Sequence, residues 1–378
     1  MATLISPTPE ADDTASRWLD GLLRACLQER ASDLHFESGG GRLRVRRRID
    51  GRLQEVTVPS HIHPDRMVSR LKILARMDIG ERRRPQDGRW AMDHAGERVH
   101  FRVSAMPAIR GEKLVLRIMR LHAQLGRLDE LGYAPHALAA LREALRSPDG
   151  LILFTGPTGA GKTLSMYHCL QEVNRPELNI TTVEDPVEIV LPGIHQVTVH
   201  EAIGLDFASC LRALLRQDPD IMMVGEIRDL ATARVAVQAA QTGHLVLSTL
   251  HCNDAAHALV RLQDLGLAAY HVATCLRLIT AQRLIRRLCE QCRQPVGPGL
   301  WRAVGCAACH QGYRGRIGLF EVMPVSPELQ SLVLSGADSL TLTRQARQQG
   351  VASLRDDGMS KARRGLTTAL EVEAATHA

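Results

Sequence analysis

Gly156-Pro157-Thr158-Gly159-Ala160-Gly161-Lys162-Thr163 spell G-x-x-x-x-G-K-[ST] directly after the apolar run Leu151-Ile152-Leu153-Phe154. In that spacing the glycines let successive backbone N–H groups turn inward around phosphate. Lys162 reaches the β- and γ-phosphates, and the Thr163 hydroxyl ligates Mg²⁺. The chemistry is binding of ATP or GTP, and the helix N-terminus that follows favours the same anion. A second run, Asp220 to Asp229, is an apolar strand ending in an acid. The aspartate usual at such an end is here Gly225, which leaves Glu226 to polarise an attacking water. Thr182-Val183-Glu184-Asp185-Pro186-Val187-Glu188 ends another strand with adjacent carboxylates, and either Glu184 or Asp185 could hold the hydration shell of Mg²⁺. His244 and His251 flank the strand 245–249 and are expected near the active edge of the sheet, as sensors of the γ-phosphate or as positioning groups.

Cys289-Glu290-Gln291-Cys292 and Cys306-Ala307-Ala308-Cys309 form C-x₂-C…C-x₂-C around a Pro/Gly-rich segment. Four soft thiolates suit tetrahedral Zn²⁺, and they leave no open position for a substrate, so the expected zinc is structural. Two pairs without a thioredoxin-like context argue against a redox motif. The other five cysteines, Cys26, Cys169, Cys210, Cys252 and Cys275, are scattered and read as packing residues.

These groups must be carried by ordered elements. Residues 1–13 read as a polar tail. Trp18, Leu19, Leu22, Leu23, Cys26 and Leu27 recur at helical spacing. Alternation around Leu34 to Glu37, Leu43 to Arg46 and Leu53 to Val56, broken by Gly39-Gly40-Gly41 and Asp50-Gly51, predicts strands and a hairpin. A helix near 64–77 and strands near 99–106 and 113–119 complete a small α/β domain over 14–120. A helix-rich stretch, 128–147, leads into the phosphate-loop strand. Strands at 180–183, 221–224 and 245–249 alternate with helices at 207–216 and 230–242, which argues for a mostly parallel sheet covered by helices. A cysteine knuckle over 286–320 and a helical subdomain over 326–378, broken by Gly336, Gly350, Gly358 and Gly365, end a second domain of 121–378.

The chain has 378 residues, 45% hydrophobic but only 3% aromatic, so its cores must be aliphatic. The net charge of +6 comes with arginines clustered in the first third and few interleaved aromatics, a poor match to a nucleic-acid surface. There is no signal-peptide pattern and no apolar stretch of the roughly 18–20 residues that cross a bilayer. The expectation is a cytoplasmic protein that meets the membrane only through partners.

Taken together these motifs resemble the ATPases that power type II secretion and type IV pilus assembly, within the hexameric secretion ATPase superfamily. The resemblance runs from about Arg30 to the C-terminus. It rests further on Ala31 to Glu37, Arg48-Ile49-Asp50-Gly51, Pro85-Gln86-Asp87-Gly88-Arg89, Arg102-Val103-Ser104, Arg216 to Asp220, Thr242-Gly243-His244, Thr249-Leu250-His251 and Gly312 to Arg316. It implies a PAS-like first domain, a RecA-like ATPase domain and assembly as a homo-hexamer peripherally associated with the inner membrane through a platform protein. The acidic box would be Glu184, Asp185 and Glu188, the water-activating acid Glu226, and the histidine box His244 and His251. Arg89 and Arg102 would complete the nucleotide site. Only about 30 residues precede the match, so membrane docking is expected to differ from that of relatives with an additional N-terminal domain. Cys252 stands where Thr is frequent, Ala160 where Ser is frequent. The implied activity is Mg²⁺-dependent ATP hydrolysis driving pilin or pseudopilin assembly. The alternatives are a retraction or DNA-uptake motor, a nucleic-acid motor, and a non-enzymatic platform that keeps only the fold.

Overall fold

The computed structural model describes residues 9–120 and 125–376, arranged as two compact units, 1–123 and 124–378. In the first unit, helix α1 (Pro9–Gln28) precedes strands β1 (Asp33–Gly39), β2 (Arg42–Ile49) and β3 (Arg52–Val56). Helix α2 (Pro64–Leu74) then leads to β4 (Gln86–His94), β5 (Glu97–Ala108) and β6 (Gly111–Met119). The six strands form one sheet, β3-β2-β1-β6-β5-β4, in which every neighbouring pair is antiparallel. Alternation explains it: Leu34, Phe36, Val45, Phe101, Val103, Leu114 and Leu116 are buried in one core with Leu19, Leu23 and Cys26 of α1 and Met67 and Leu71 of α2. The β2–β3 hairpin turns on Asp50 (φ 48°) and Gly51 (φ 87°), the left-handed pair that a tight hairpin requires.

One expectation is corrected here. The polar tail expected over 1–13 is helical from Pro9 onward, and proline fits the first helical position because the amide it lacks would find no acceptor there; residues 1–8 lie outside the described residues. The edge strand β4 is an element for which the sequence pattern provides no expectation. Gly88 sits against α2, and a Cβ on it would stand 2.3 Å from the Ala75 carbonyl oxygen.

The second unit begins with a 3₁₀ turn (Leu128–Leu131) and α3 (Pro135–Leu145), followed by β7 (Gly150–Thr155) and α4 (Lys162–Val173). Strands β8 (Ile180–Glu184) and β9 (His195–Thr198) come next, then α5 (Phe207–Leu214), β10 (Ile221–Val224), α6 (Leu230–Gln241) and β11 (Leu245–Leu250). Helices α7 (Ala255–Asp264) and α8 (Ala269–Cys275) precede β12 (Leu276–Leu288), the small hairpin β13 (Gln294–Gly297) and β14 (Leu300–Arg302), and β15 (Tyr313–Pro324). Helices α9 (Pro327–Leu334), α10 (Ser339–Gln348), α11 (Leu354–Arg363) and α12 (Ala369–Thr376) close the unit.

The large sheet runs β15-β12-β7-β11-β10-β8-β9. Its inner strands pair in parallel, and only β15 is antiparallel, to β12. β7, β8, β10 and β11 are buried along their full lengths, and in β7 and β10 this shows as the unbroken apolar runs 151–154 and 221–224. Two further cores, one on each side of these strands, fill the unit.

Gly358 does not break a helix as expected. It lies inside α11, where a Cβ would come within 2.6 Å of Val372 in α12, so glycine is there for close packing between helices. Among the described residues no helix is long and apolar enough to cross a membrane.

Candidate nucleotide site and cysteine cluster

The phosphate loop leaves the C-terminal end of buried β7 and opens α4. Gly156 has φ 149°, and a Cβ there would fall 2.4 Å from the Gln282 carbonyl oxygen, so no side chain fits. Gly161 caps α4 at φ 87°, and no side chain accepts from the first turn. The opening N–H groups of α4 thus have no side-chain acceptor, and the helix dipole adds to their pull on an anion. Lys162 is buried and donates from Nζ to the carbonyl oxygens of Gly156 (2.7 Å) and Pro157 (3.2 Å). Pro157, Thr158 and Gly159 are exposed, Ala160 is buried, and Thr163 is half-buried.

Gln282 of β12 is a further member of this site and lies within a run that carries no motif. Its amide donates to the Ala160 carbonyl (2.7 Å), and its oxygen accepts from Ser165 Oγ of α4 (2.8 Å). It pins the phosphate loop to the neighbouring strand.

Burial lowers the pKa of Lys162 to about 8, with the Glu226 charge opposing the shift. The sign for binding follows. Phosphate favours the ammonium form, so a loop that has lost the proton must take one up when nucleotide binds. Affinity is therefore expected to be full below about pH 8 and to fall above it, by at most about tenfold per pH unit. Calorimetric titration in two buffers of different ionisation heat at pH 8.5 measures the uptake; no uptake would contradict this account.

Glu226 follows β10 at the same end of the sheet. Its carboxylate accepts from Arg228 and lies 3.3 Å from His251 Nε2. Burial alone would raise its pKa, but the hydrogen bonds and charges of Arg228 and His251 outweigh it and hold the carboxyl below its ordinary value. Arg228 Nη2 also lies 3.5 Å from Asp185 Oδ2, so one guanidinium bridges the two acids.

Of the two carboxylates left open by the sequence, Glu184 and Asp185 have opposite surroundings. Glu184 is 2% exposed, and both its oxygens accept: Oε1 from Thr182 (2.6 Å) and Gln196 (3.0 Å), Oε2 from the Tyr167 hydroxyl. Burial raises its pKa against those donors. Asp185 is exposed on the loop that follows. Asp185 is thus the acid open to a hydrated ion, while Glu184 is enclosed. Glu188 is exposed, and its backbone N–H donates to Tyr167 Oη (3.1 Å).

The histidines are not brought together. His251 follows the C-terminal end of β11, on Glu226. His244 precedes the N-terminal end, where its Nδ1 lies 3.0 Å from the Ala239 carbonyl and its own carbonyl accepts from Gly150 at the start of β7. A six-residue strand spans about 20 Å, so His244 lies at the far edge from the phosphate loop, correcting its expected place at the active edge.

In the first unit Arg89 pairs in register with Arg102, and Arg102 with Arg117, so the three exposed side chains share one face of β4, β5 and β6. Arg117 was not singled out in the sequence, because only pairing places it in this row. Its Nε donates to Asp33 Oδ1 (3.1 Å).

The four cysteines lie at the far end of the β12–β15 pair. Their sulfurs all lie within 4.8 Å of one another, with Cys289–Cys306 at 3.9 Å, Cys292–Cys309 at 3.6 Å and Cys306–Cys309 at 3.6 Å. A tetrahedron with Zn–S bonds of about 2.3 Å has edges of about 3.8 Å, so the set fits zinc closely. Backbone N–H groups of Gly305 and Cys306 point at Cys292 and Cys309 sulfurs (3.4 and 3.3 Å), as thiolate ligands require. The knuckle is tied to the segment between α11 and α12: Arg293 donates to the Gly365 carbonyl, and Trp301 Nε1 to that of Arg363 (3.2 Å).

A glycine-rich phosphate loop, two strand-end acids and an arginine bridging them on one sheet edge define a nucleotide-binding protein of the phosphate-loop class. The chain belongs to the family described as "Type II/IV secretion system protein", which it matches over residues 9–374. It is 45% identical to the type IV pilus assembly ATPase PilB of Pseudomonas aeruginosa, over 97% of this chain and 68% of that one. To the type II secretion system protein HxcR of the same organism it is 47% identical, over 94% of this chain and 76% of that one. The PilB of Acinetobacter baylyi is 43% identical over 95% of this chain, which spans 66% of that relative's length. Among solved structures, the pilus retraction motor PilT with bound ADP matches at a TM-score of 0.68 and 25% identity, over 94% of this chain and 96% of that one.

Proposed function

We propose that this chain is a Mg²⁺-dependent ATPase whose hydrolysis powers assembly of pilin or pseudopilin subunits in a type IV pilus or type II secretion machine. The observation that carries this is the placement of the phosphate loop, Asp185 and Glu226 at the C-terminal ends of β7, β8 and β10, within a chain 43–47% identical to pilus-assembly ATPases and a type II secretion protein. Lys162 and the opening turn of α4 hold the phosphates, and the Thr163 hydroxyl with Asp185 would hold Mg²⁺. The ion, when bound, offsets negative charge on the phosphate oxygens. Glu226, kept ionised by Arg228 and His251, accepts a proton from the attacking water. Arg89, Arg102 and Arg117 offer guanidinium groups suited to the charge that builds on a transferring phosphate.

The first unit is assigned as PAS-like, the second as RecA-like, and the working form as a ring-shaped homo-hexamer docked on an inner-membrane platform protein. Cys289, Cys292, Cys306 and Cys309 would hold one structural Zn²⁺. The fold likeness to PilT supports a second reading, a retraction motor. Assembly is preferred because the two pilus-assembly ATPases are 43% and 45% identical to this chain and the retraction motor 25%.

Phosphate release by the purified chain tests the enzymatic part. ATP turnover is expected with Mg²⁺, lost with EDTA and restored by excess Mg²⁺, without stimulation by DNA. No turnover at any protein concentration, or turnover that needs DNA, would contradict the proposal.

A further inference from the structure

Tyr167 belongs to neither the phosphate loop nor the acid clusters, yet its ring is fully buried and its hydroxyl joins the two. It sits on α4, four residues beyond Thr163. Its Oη donates to Glu184 Oε2 and accepts the backbone N–H of Glu188 at 3.1 Å, with Ile189 N–H directed at the same oxygen. Glu184 in turn accepts from Gln196 of β9 at 3.0 Å. Gln196 holds the other side of the same loop, donating to the Ile189 carbonyl (3.0 Å) and accepting from Leu191 N–H (2.7 Å). The segment from Asp185 to Leu191 is therefore clamped from two sides, and both clamps meet on the buried Glu184 carboxyl. The clamp from the α4 side is one phenolic oxygen.

This arrangement is more than core filling. Phenylalanine would fill the same volume, so the hydroxyl is needed only for its partners. Without it, a buried carboxylate oxygen loses its donor and two backbone N–H groups lose their acceptor, and unpaired buried polar groups of this kind force the segment to move. The segment that would move begins with Asp185, the exposed acid whose position relative to Thr163 and Glu226 sets where a hydrated divalent ion can sit.

We infer that Tyr167 is a positioning residue of the hydrolytic site, tying the phosphate-loop helix to the Asp185 loop through Glu184 and the Glu188 backbone so that the metal-side acid keeps its place. This rests on the reading of the chain as a Mg²⁺-dependent ATPase. Partners that orient metal-site ligands typically change metal affinity or activity by about 10–100-fold when removed.

The test is steady-state hydrolysis by the full chain carrying Tyr167→Phe, with Mg²⁺ titrated at saturating ATP. The expected result is a kcat lower by about 10–100-fold and a half-saturating Mg²⁺ concentration raised about tenfold or more. Binding of a fluorescent ATP analogue in EDTA should stay within about twofold, because the phosphate loop is untouched. Glu184→Gln, which keeps the shape of the buried group, should shift the Mg²⁺ dependence the same way, and the double variant should lose little beyond either single one. It also serves if Tyr167→Phe does not fold. A folded Tyr167→Phe protein with unchanged kcat and Mg²⁺ dependence, or losses that add fully in the double variant, would overturn the inference. Glu226→Gln run in parallel separates the two readings. If that variant hydrolyses like the parent, the assignment of the hydrolytic site has failed; if it is inactive while Tyr167→Phe is normal, only the positioning role has.

Discussion

Replacing Glu226 with glutamine is expected to lower kcat for Mg-ATP by about 10²–10⁴-fold, the range a positioned general base supplies, while nucleotide still binds. The amide preserves the size of the group, so the phosphate loop and β10 should keep their geometry. What it cannot do is accept a proton from water. Its placement points to that role: Glu226 follows β10 close enough to the phosphate loop for its charge to act on Lys162, and Arg228 and His251 hold its carboxyl below its ordinary pKa despite burial, so it is ionised throughout the neutral range. The same Arg228 spans to Asp185, which means that admitting a cation between the acids requires the guanidinium to turn away. Rapid-mixing measurement of phosphate release together with equilibrium binding of a nucleotide analogue checks the prediction. Parent-like turnover in the variant would remove Glu226 from the mechanism.

The second large effect concerns the cysteine knuckle. Purified under reducing conditions, the chain should carry one zinc per molecule, and Cys292→Ser should lose it. Zinc binding by four thiolates is worth on the order of 10 kcal/mol, and in small metal knuckles that energy is folding energy. Without the ion, the loop between β12 and β15 has few apolar contacts to hold it, and Val296, Leu300 and Val304 are already exposed. Its ties to the α11–α12 segment include the bonds from Arg293 and Trp301, with Trp301 packed against Gly365. Those contacts are expected to loosen with it, lowering the thermal midpoint by several degrees and opening the 289–309 amides to hydrogen exchange. The phosphate loop lies at the other part of β12, so nucleotide binding should persist. Elemental analysis finding no zinc, together with an unchanged midpoint in Cys292→Ser, would contradict this.

The parts that were legible in the sequence share a local cause. The phosphate loop, the acids at the ends of β8 and β10, and the paired cysteines each lie within a few consecutive residues, where spacing alone dictates geometry. The buried strands β7 and β10 announce themselves because strands covered on both faces are mostly apolar. What escaped depends on partners distant in sequence. Gln282 matters because β12 lies beside β7, and Tyr167 matters because α4, packed over β7 and β11, brings its hydroxyl to Glu184 at the end of β8. Arg117 joins Arg89 and Arg102 only through strand register. β12 itself carries Leu276, Leu278, Ile279, Leu284 and Ile285 at spacings that fit either a strand or a helix, so period could not decide. The two histidines illustrate the same limit from the other side. They bracket one strand in sequence, but a strand separates its ends by its whole length, and only His251 reaches the acid edge. Likewise the pair Glu184 and Asp185, equivalent by spacing, divides by burial into an enclosed carboxyl and an exposed one.

Counting surface pili by electron microscopy, in source cells whose sole copy of this chain carries Glu226→Gln, tests the central claim most directly. An assembly motor predicts that pili disappear while the variant protein accumulates to the parent level. Extra or longer pili would contradict the account by marking the chain as a retraction motor. Unchanged pili together with unchanged protein export would contradict it entirely, whereas unchanged pili with lost export would place the same hydrolysis in a secretion pseudopilus.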